Sequence, residues 1–417
     1  MRQKIDNKRI LFLALLLAAA AVCFTACLFS SGGESQIIEE EGELHEIIEA
    51  EEEPVKKEPV SLSISCVGDV MVHLSQIYAQ HDKSTDTYDF ENNFKYVKKY
   101  IKAADLALCN LETTFGGKPY DGYPMFSAPD ELAPALKSAG FDVAVFANNH
   151  ILDRGAAGLF RTVDILKENS LLTAGVRASE EEARYTMLDV KDVKIAVAAY
   201  TYASSNSSGR LLINGSAAPQ GVENLINYIR YSHIDEDIAK IKETADEARA
   251  AGADIVIIYY HWGEEYQLKS NEYQRKIAEK TVSEVGADII FASHPHTLQE
   301  AVFITNEETE KRVPVFYSMG NFISNQRKET LNNHYTEIGI IAQVGLVFDV
   351  EERKITSISM SAIPTWVEKY RTGGRDIYAV IPLDDDLEQN ETLAASGHLA
   401  RAKKALEEAN GILKIDR

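Results

Sequence analysis

The chain predicts an α/β fold whose strands enter largely parallel sheets and whose polar loops gather along one sheet edge. Three observations predict it. Short apolar runs rich in β-branched residues alternate with segments whose apolar residues recur at helical spacing. Five of those runs stop abruptly at residues of metal-ligand type, and a carboxyl-terminal strand edge is where open α/β sheets build ligand sites. Finally, 417 residues at 45% hydrophobic and 26% charged are ample for a large core.

The first 30 residues predict a targeting segment. Arg2, Lys4, Lys8 and Arg9 precede an apolar run from Ile10 to Phe29; as a helix that run is about 30 Å long, enough to cross a bilayer. The positive flank is expected to stay in the cytoplasm and the rest of the chain to be exported. Phe24-Thr25-Ala26-Cys27 resembles a bacterial lipoprotein signal, in which the chain is cleaved before a cysteine that is then lipidated. Phenylalanine stands where leucine is usual, so an uncleaved membrane anchor remains open beside lipidation at Cys27. Either places the protein on the extracytoplasmic face of the cell membrane. Residues 31–59, with eleven glutamates and the prolines Pro54 and Pro59, predict an acidic, extended linker that cannot bury enough surface to fold.

Charge divides unevenly along the chain. Of the net −21, residues 1–30 carry +3, residues 31–59 carry −9 and the remainder −15. No lysine and arginine stripe is offered to phosphates, which excludes nucleic acid as a partner. Beyond the targeting segment only Cys66 and Cys109 occur, both in strand-like runs, so buried free thiols are expected rather than a disulfide framework.

The folded part opens with the strand Ser61 to Val67, ending in Gly68-Asp69-Val70-Met71. A helix bearing Phe90, Phe94, Val97 and Ile101 on one face leads to the strand Asp105 to Cys109, which ends in Asn110-Leu111-Glu112. After a helix from Pro129 to Ser138, the run Phe141 to Ala147 ends in Asn148-Asn149-His150, and the helix Ala156 to Glu168 closes the unit. Residues 184–203 predict an antiparallel hairpin, and Ser204 to Gly221 a long loop. A helix from Ile234 to Ala251 precedes the strand Asp254 to Tyr260, which stops at His261-Trp262-Gly263. Another helix, Glu272 to Val285, returns to Asp288-Ile289-Ile290-Phe291-Ala292, which stops at Ser293-His294-Pro295-His296. The strand Val313 to Tyr317 runs into Ser318-Met319-Gly320-Asn321. Paired strands follow near 337–349 and 354–363, then a terminal helix near Leu399 to Ala409. The expected division is 1–30 anchor, 31–59 linker, 60–370 the main domain and 371–417 a C-terminal extension.

Five strands therefore end in Asp69, Glu112, Asn149-His150, His261 and His294-Pro295-His296. Two carboxylates, one amide oxygen and three imidazoles are too many for one tetrahedral ion. They suit two ions about 3.5–4 Å apart sharing a bridging carboxylate, or a single ion taking part of the set. Mixed oxygen and nitrogen donors point to a divalent transition metal, manganese, iron or zinc, rather than calcium. His150 is left over as a proton donor to a leaving group. Trp262 and Tyr266 are read either as groove walls or as packing, Glu264 and Glu265 as partners of His261 or as a solvated helix start. Ser318 and Asn321 are expected to support a tight turn, and Asp153 to cap a helix.

The segments GDVM, NLE, ANNHILDRG, HWGEEY, ASHPHTLQ and FYSMGNFI, in this order over roughly residues 62–365, resemble the CapA family of poly-γ-glutamate capsule synthesis proteins. The domain of that family belongs with the calcineurin-like metallophosphatases. The resemblance implies a four-layer αββα sandwich, with Asp69, Glu112, Asn149, His261, His294 and His296 at metal-ligand positions and His150 at the catalytic position. Related phosphatases carry Asp-x-His in the first motif; here Met71 stands in the histidine's place, so one ion lacks a ligand, and His73 is read as a surface turn histidine ahead of a replacement for it. Two functions follow from the resemblance. One is a metal-dependent hydrolase of a phosphoester or amide; the other is a non-catalytic assembly component that binds the anionic glutamate polymer beside the membrane subunits of a capsule synthase.

Overall fold

A computed structural model describes residues 58–415, so the expected anchor, and all but the end of the expected linker, lie outside the described residues. Two sheets dominate. In the first, Val60–Val70 lies between Leu106–Leu111 and Ile338–Asp349; Val143–Val145 and Leu172–Ala174 extend one side, Lys354–Thr372 and Arg375–Pro382 the other. In the second, Val193–Ser205, Ile255–His261, Ile289–Ser293 and Arg312–Phe316 run side by side and parallel. Both sheets are mixed, because hairpins such as Thr186–Val190 with Val193–Ser205 add antiparallel margins to a parallel centre.

Alternation along the strands sorts their side chains into three cores. Ile64, Cys66, Leu108 and Val145 of the first sheet meet Val197, Ile257, Tyr259 and Phe291 of the second in one buried cluster, so the sheets stack face to face. On the outer face of the first sheet, Val67, Ala107, Cys109 and Ala144 pack under Leu132, Leu136, Leu159 and Leu166 of two helices. On the outer face of the second, Ala196, Val256, Ile258 and Ile290 pack under Ile238, Ile241, Ala245 and Ile277. The layers are helix, sheet, sheet, helix. All three cores lie within one compact unit, Lys56–Arg417, a self-sufficient basis for folding.

Several expectations differ in detail. The helix expected over Phe90 to Ile101 is broken into a 3₁₀ turn, Glu91–Phe94, and one α-turn, Lys98–Ile101, although its four apolar residues are all buried. The buried Asn93 amide donates to Tyr378 O (2.7 Å), a tertiary tie that overrides the helical period. The loop expected over 204–221 contains the hairpin Leu211–Ile213 with Ser216–Ala217, turned by Asn214 and Gly215, both at positive φ (49° and 74°). The boundary expected at residue 370 falls inside Lys354–Thr372, which pairs with Arg375–Pro382, and the terminal helix Leu399–Leu413 buries Ala402, Ala405 and Ala409 in the inter-sheet core. The 371–417 segment thus completes the same unit. Cys66 and Cys109 are free and buried.

Candidate metal centre

Strand register gathers the polar residues at one end of the two stacked sheets. Asp69 lies opposite both Asn110 and Asn321 on its neighbouring strands, and in the second sheet His261 lies opposite Ser293. The glycine ahead of Asp69 is required. A Cβ on Gly68 would sit 1.9 Å from Gly320 O, and the close approach it permits lets Asp69 N donate to that oxygen (3.0 Å). After Ser293 the chain turns sharply, with His294 at φ 108° and His296 at φ 57° on either side of Pro295. Non-glycine residues held at such angles are strained, and strain of this kind concentrates at functional sites.

Two triads of ligand atoms result, each within 4.8 Å: Glu112, His261 and His294, and Asp69, Glu112 and His296. Glu112 belongs to both. Its Oε1 lies 3.4 Å from His261 Nε2 and 3.8 Å from His296 Nε2, and His296 Nδ1 lies 2.9 Å from Asp69 Oδ2. Asn149 Oδ1 reaches His261 Nε2 at 2.7 Å, so the sixth expected ligand is in the same cluster. All six are buried.

The donor set fits a metal. Glu112 Oε1 and Oε2 and His294 Nδ1 are buried with no hydrogen-bond partner, an arrangement costly without a cation to face. Burial, then the nearby Asp69 carboxylate, pushes the Glu112 carboxyl well above its ordinary range. Burial pushes His261 well below the usual imidazole value and His294 down to about 3, the neutral forms that ligate metal. At Asp69 burial works upward, but the hydrogen bond with His296 overcomes it and holds the carboxyl low. Bound here, a divalent ion would supply positive charge to polarise a substrate and lower the pKa of water.

His150 stands beside the triads with its Nδ1 2.8 Å from Asp153 Oδ2, and Phe126 N donates to the same oxygen (2.7 Å). Asp153 therefore holds His150 through Nδ1 instead of capping a helix. Asn110 is a hub that the sequence did not single out. Its Nδ2 donates to Asp69 Oδ1 (2.9 Å) and lies 3.2 Å from Ser293 Oγ and 3.3 Å from His261 Nδ1, while its Oδ1 accepts from Asn148. Its position two residues before Glu112 was the available signal. Asn321 does more than support a turn, since its Oδ1 is 3.1 Å from His296 Nδ1 and its Nδ2 donates to Thr336 O.

The remaining candidates separate cleanly. Met71 is buried, and His73 caps the helix Leu74–Gln80, with its Nδ1 3.3 Å from Gln76 Oε1 and outside both triads. Trp262 is core, stacked on Tyr260 at 4.5 Å, while Tyr266 stays half-buried, its ring 6.2 Å from that of His296. Glu264 and Glu265 are exposed. Tyr202, which the sequence did not mark, places its ring 4.7 Å from His294.

The family described as "Bacterial capsule synthesis protein PGA_cap" matches residues 63–326, and the chain belongs to that family. It is 30% identical over 283 residues to "Capsule biosynthesis protein CapA" of Bacillus anthracis, covering 66% of this chain and 62% of that one. It is 29% identical over 271 residues to "PGA biosynthesis protein CapA" of Bacillus subtilis (strain 168), covering 64% of each. The matched region thus spans less than two thirds of these relatives' own length. Among solved structures it is similar to a hypothetical protein from Thermus thermophilus (TM-score 0.40, 12% identity, 72% of this chain and 98% of that one). It is also similar to the calcineurin-like phosphoesterase YfkN from Bacillus subtilis (TM-score 0.38, 14% identity, 85% and 100%).

Proposed function

We propose that this chain is a metal-dependent hydrolase of capsule synthesis, cleaving a phosphoester or amide at the centre formed by Asp69, Glu112, Asn149, His261, His294 and His296. The observation that carries the reading is Glu112: a fully buried carboxylate, shared by two triads, with no donor on either oxygen. One or two ions of manganese, iron or zinc suit this set. The absence of a histidine at Met71 leaves the Asp69 side with fewer donors, so the Glu112, His261, His294 side is the tighter one. Asn110 and Asn321 hold Asp69 and His296 in place, and such partners commonly govern metal affinity. His150, oriented by Asp153, delivers a proton to the leaving atom. The αββα layering is the scaffold such chemistry would use, and the substrate is either the anionic glutamate polymer or a phosphorylated compound. Membrane tethering, by Cys27 lipidation or an uncleaved helix, places the reaction outside the cytoplasm near the synthase subunits. Labelled fatty acid incorporated into wild type and lost in Cys27→Ala supports the lipid form.

A panel of phosphomonoesters, phosphodiesters and γ-glutamyl oligomers, assayed with manganese, tests the hydrolase. We expect turnover in wild type and a loss of ~10²- to 10⁴-fold in His150→Ala with metal content intact. If nothing is cleaved, while capsule formation survives His150→Ala but not Glu112→Ala, the protein is an assembly component and the hydrolase reading is wrong.

A further inference from the structure

The centre is nearly enclosed, and the little exposure it retains belongs to Asn149, His150 and His294, at 3%, 3% and 4%. Its opening therefore lies on their side. One wall is Tyr202, against His294. The other is residues 120–127, a segment locked to the His150 side. Phe126 N shares Asp153 Oδ2 with His150, the Phe126 ring meets the His150 ring edge-on at 4.7 Å, and Asp121 and Ser127 exchange backbone hydrogen bonds of 3.0 and 2.9 Å.

The tip of this segment is apolar and exposed. Tyr123 is 71% exposed with its ring 6.5 Å from Phe126, and Met125 is 42% exposed. The helix Leu74–Gln80 begins beside it, because Leu74 N abuts Gly122. Two of the seven large apolar side chains exposed among the described residues thus sit on this one segment. A lone exposed apolar side chain needs no account, but a cluster at the mouth of a polar site marks a binding surface. The charge at the opening argues the same way. The exposed Glu265 carboxylate acts on Glu112, Tyr202 and Tyr266, and it would repel a densely anionic chain.

We propose that residues 120–127 form the leaving-group subsite of this centre, in which Tyr123 and Met125 hold an uncharged apolar or aromatic group beside His150. The inference rests on the hydrolase reading and narrows its substrate class. Water adds at phosphorus or carbonyl carbon, the bond to the leaving atom breaks with its electron pair on that atom, and the atom takes the proton carried by His150. The proton released by water then restores His150. Aromatic rings suit the Tyr123 face because offset stacking adds to simple burial.

The test is calorimetric binding of phenylphosphonate and methylphosphonate to the manganese-loaded unit from residue 56 onward. The two probes share the anionic head and differ in the group offered to the subsite. Wild type should bind phenylphosphonate about tenfold more tightly, equivalent to about 1.4 kcal/mol. Tyr123→Ala and Met125→Ala should each shrink that preference, while Tyr123→Phe retains it and Leu172→Ala, exposed elsewhere, leaves it unchanged. Manganese content measured in each variant establishes that the centre is intact. Equal affinity for the two probes, a preference that survives Tyr123→Ala, or no binding of either probe to loaded protein overturns the proposal. Turnover without the preference refutes the subsite alone; the preference without turnover refutes the hydrolase and with it the leaving-group role, leaving only an apolar-group binding site at Tyr123 and Met125.

Discussion

Replacing Glu112 by glutamine should shift stability in opposite directions with and without metal. In the metal-free protein the carboxyl is fully buried, its oxygens have no donors, and burial with the Asp69 charge raises its pKa well above the ordinary value. The sign follows from proton counting. An acid whose folded pKa is raised binds more protons folded than unfolded, so its contribution erodes as pH rises above the unfolded value of about 4.3. A buried polar group left without a hydrogen-bond partner costs about 1–3 kcal/mol, and more when it is charged. Glutamine keeps the shape without the charge, and seating its extra N–H takes back part of the gain, leaving about 2 kcal/mol of net stabilisation. In a domain of this size that raises the melting temperature by about 3–5 °C in the presence of chelator. With manganese at a thousandfold excess over its dissociation constant, wild type should gain about 4 kcal/mol, and the variant, lacking the shared ligand, far less. Scanning calorimetry with EDTA and with manganese reads both effects. An EDTA-treated Glu112→Gln protein that melts below wild type, or an equal manganese shift in the two, refutes the reasoning.

Further expectations follow from the same geometry. Burial holds the His294 imidazole down to about 3 and His73 to about 4, against about 6.5 unfolded, so metal-free stability is complete above that value and falls with pH below it. At pH 5 the His294 contribution alone is about 2 kcal/mol, and urea midpoints that match at pH 7 and 5 would contradict it. Asp153→Asn keeps an acceptor for His150 Nδ1 and Phe126 N but removes the negative charge beside the imidazole, and turnover should fall about 10- to 100-fold while metal content holds, as steady-state kinetics with elemental analysis would establish. Burial raises the pKa of both Cys66 and Cys109, so neither should react with a disulfide reagent at pH 8 in the native unit from residue 56, and both should react in denaturant; stoichiometric native labelling would show the cores to be open.

Much of the ordered framework was legible because it is local. Alternation and helical spacing announce the strands ending at Asp69, Glu112 and His261, and abrupt polarity after each run marks the sheet edge. The Asn214-Gly215 turn was equally readable, since both residues tolerate positive φ, but the surrounding serines and glycines read as loop. The break in the Phe90 to Ile101 helix was not legible, because the Asn93 partner lies on Tyr378, 285 residues away.

By itself the sequence determined the ligand types, their order and their placement at strand ends, since these depend on residues adjacent in the chain. Only the tertiary structure decided that Glu112 is shared by both triads, that Asn110 connects Asp69 with the His261 strand, and that Asp153 faces His150. Those relations depend on which strands become neighbours and in what register, and on how closely Gly68 approaches Gly320. Register is set by packing summed over two whole sheets, so no single motif carries it.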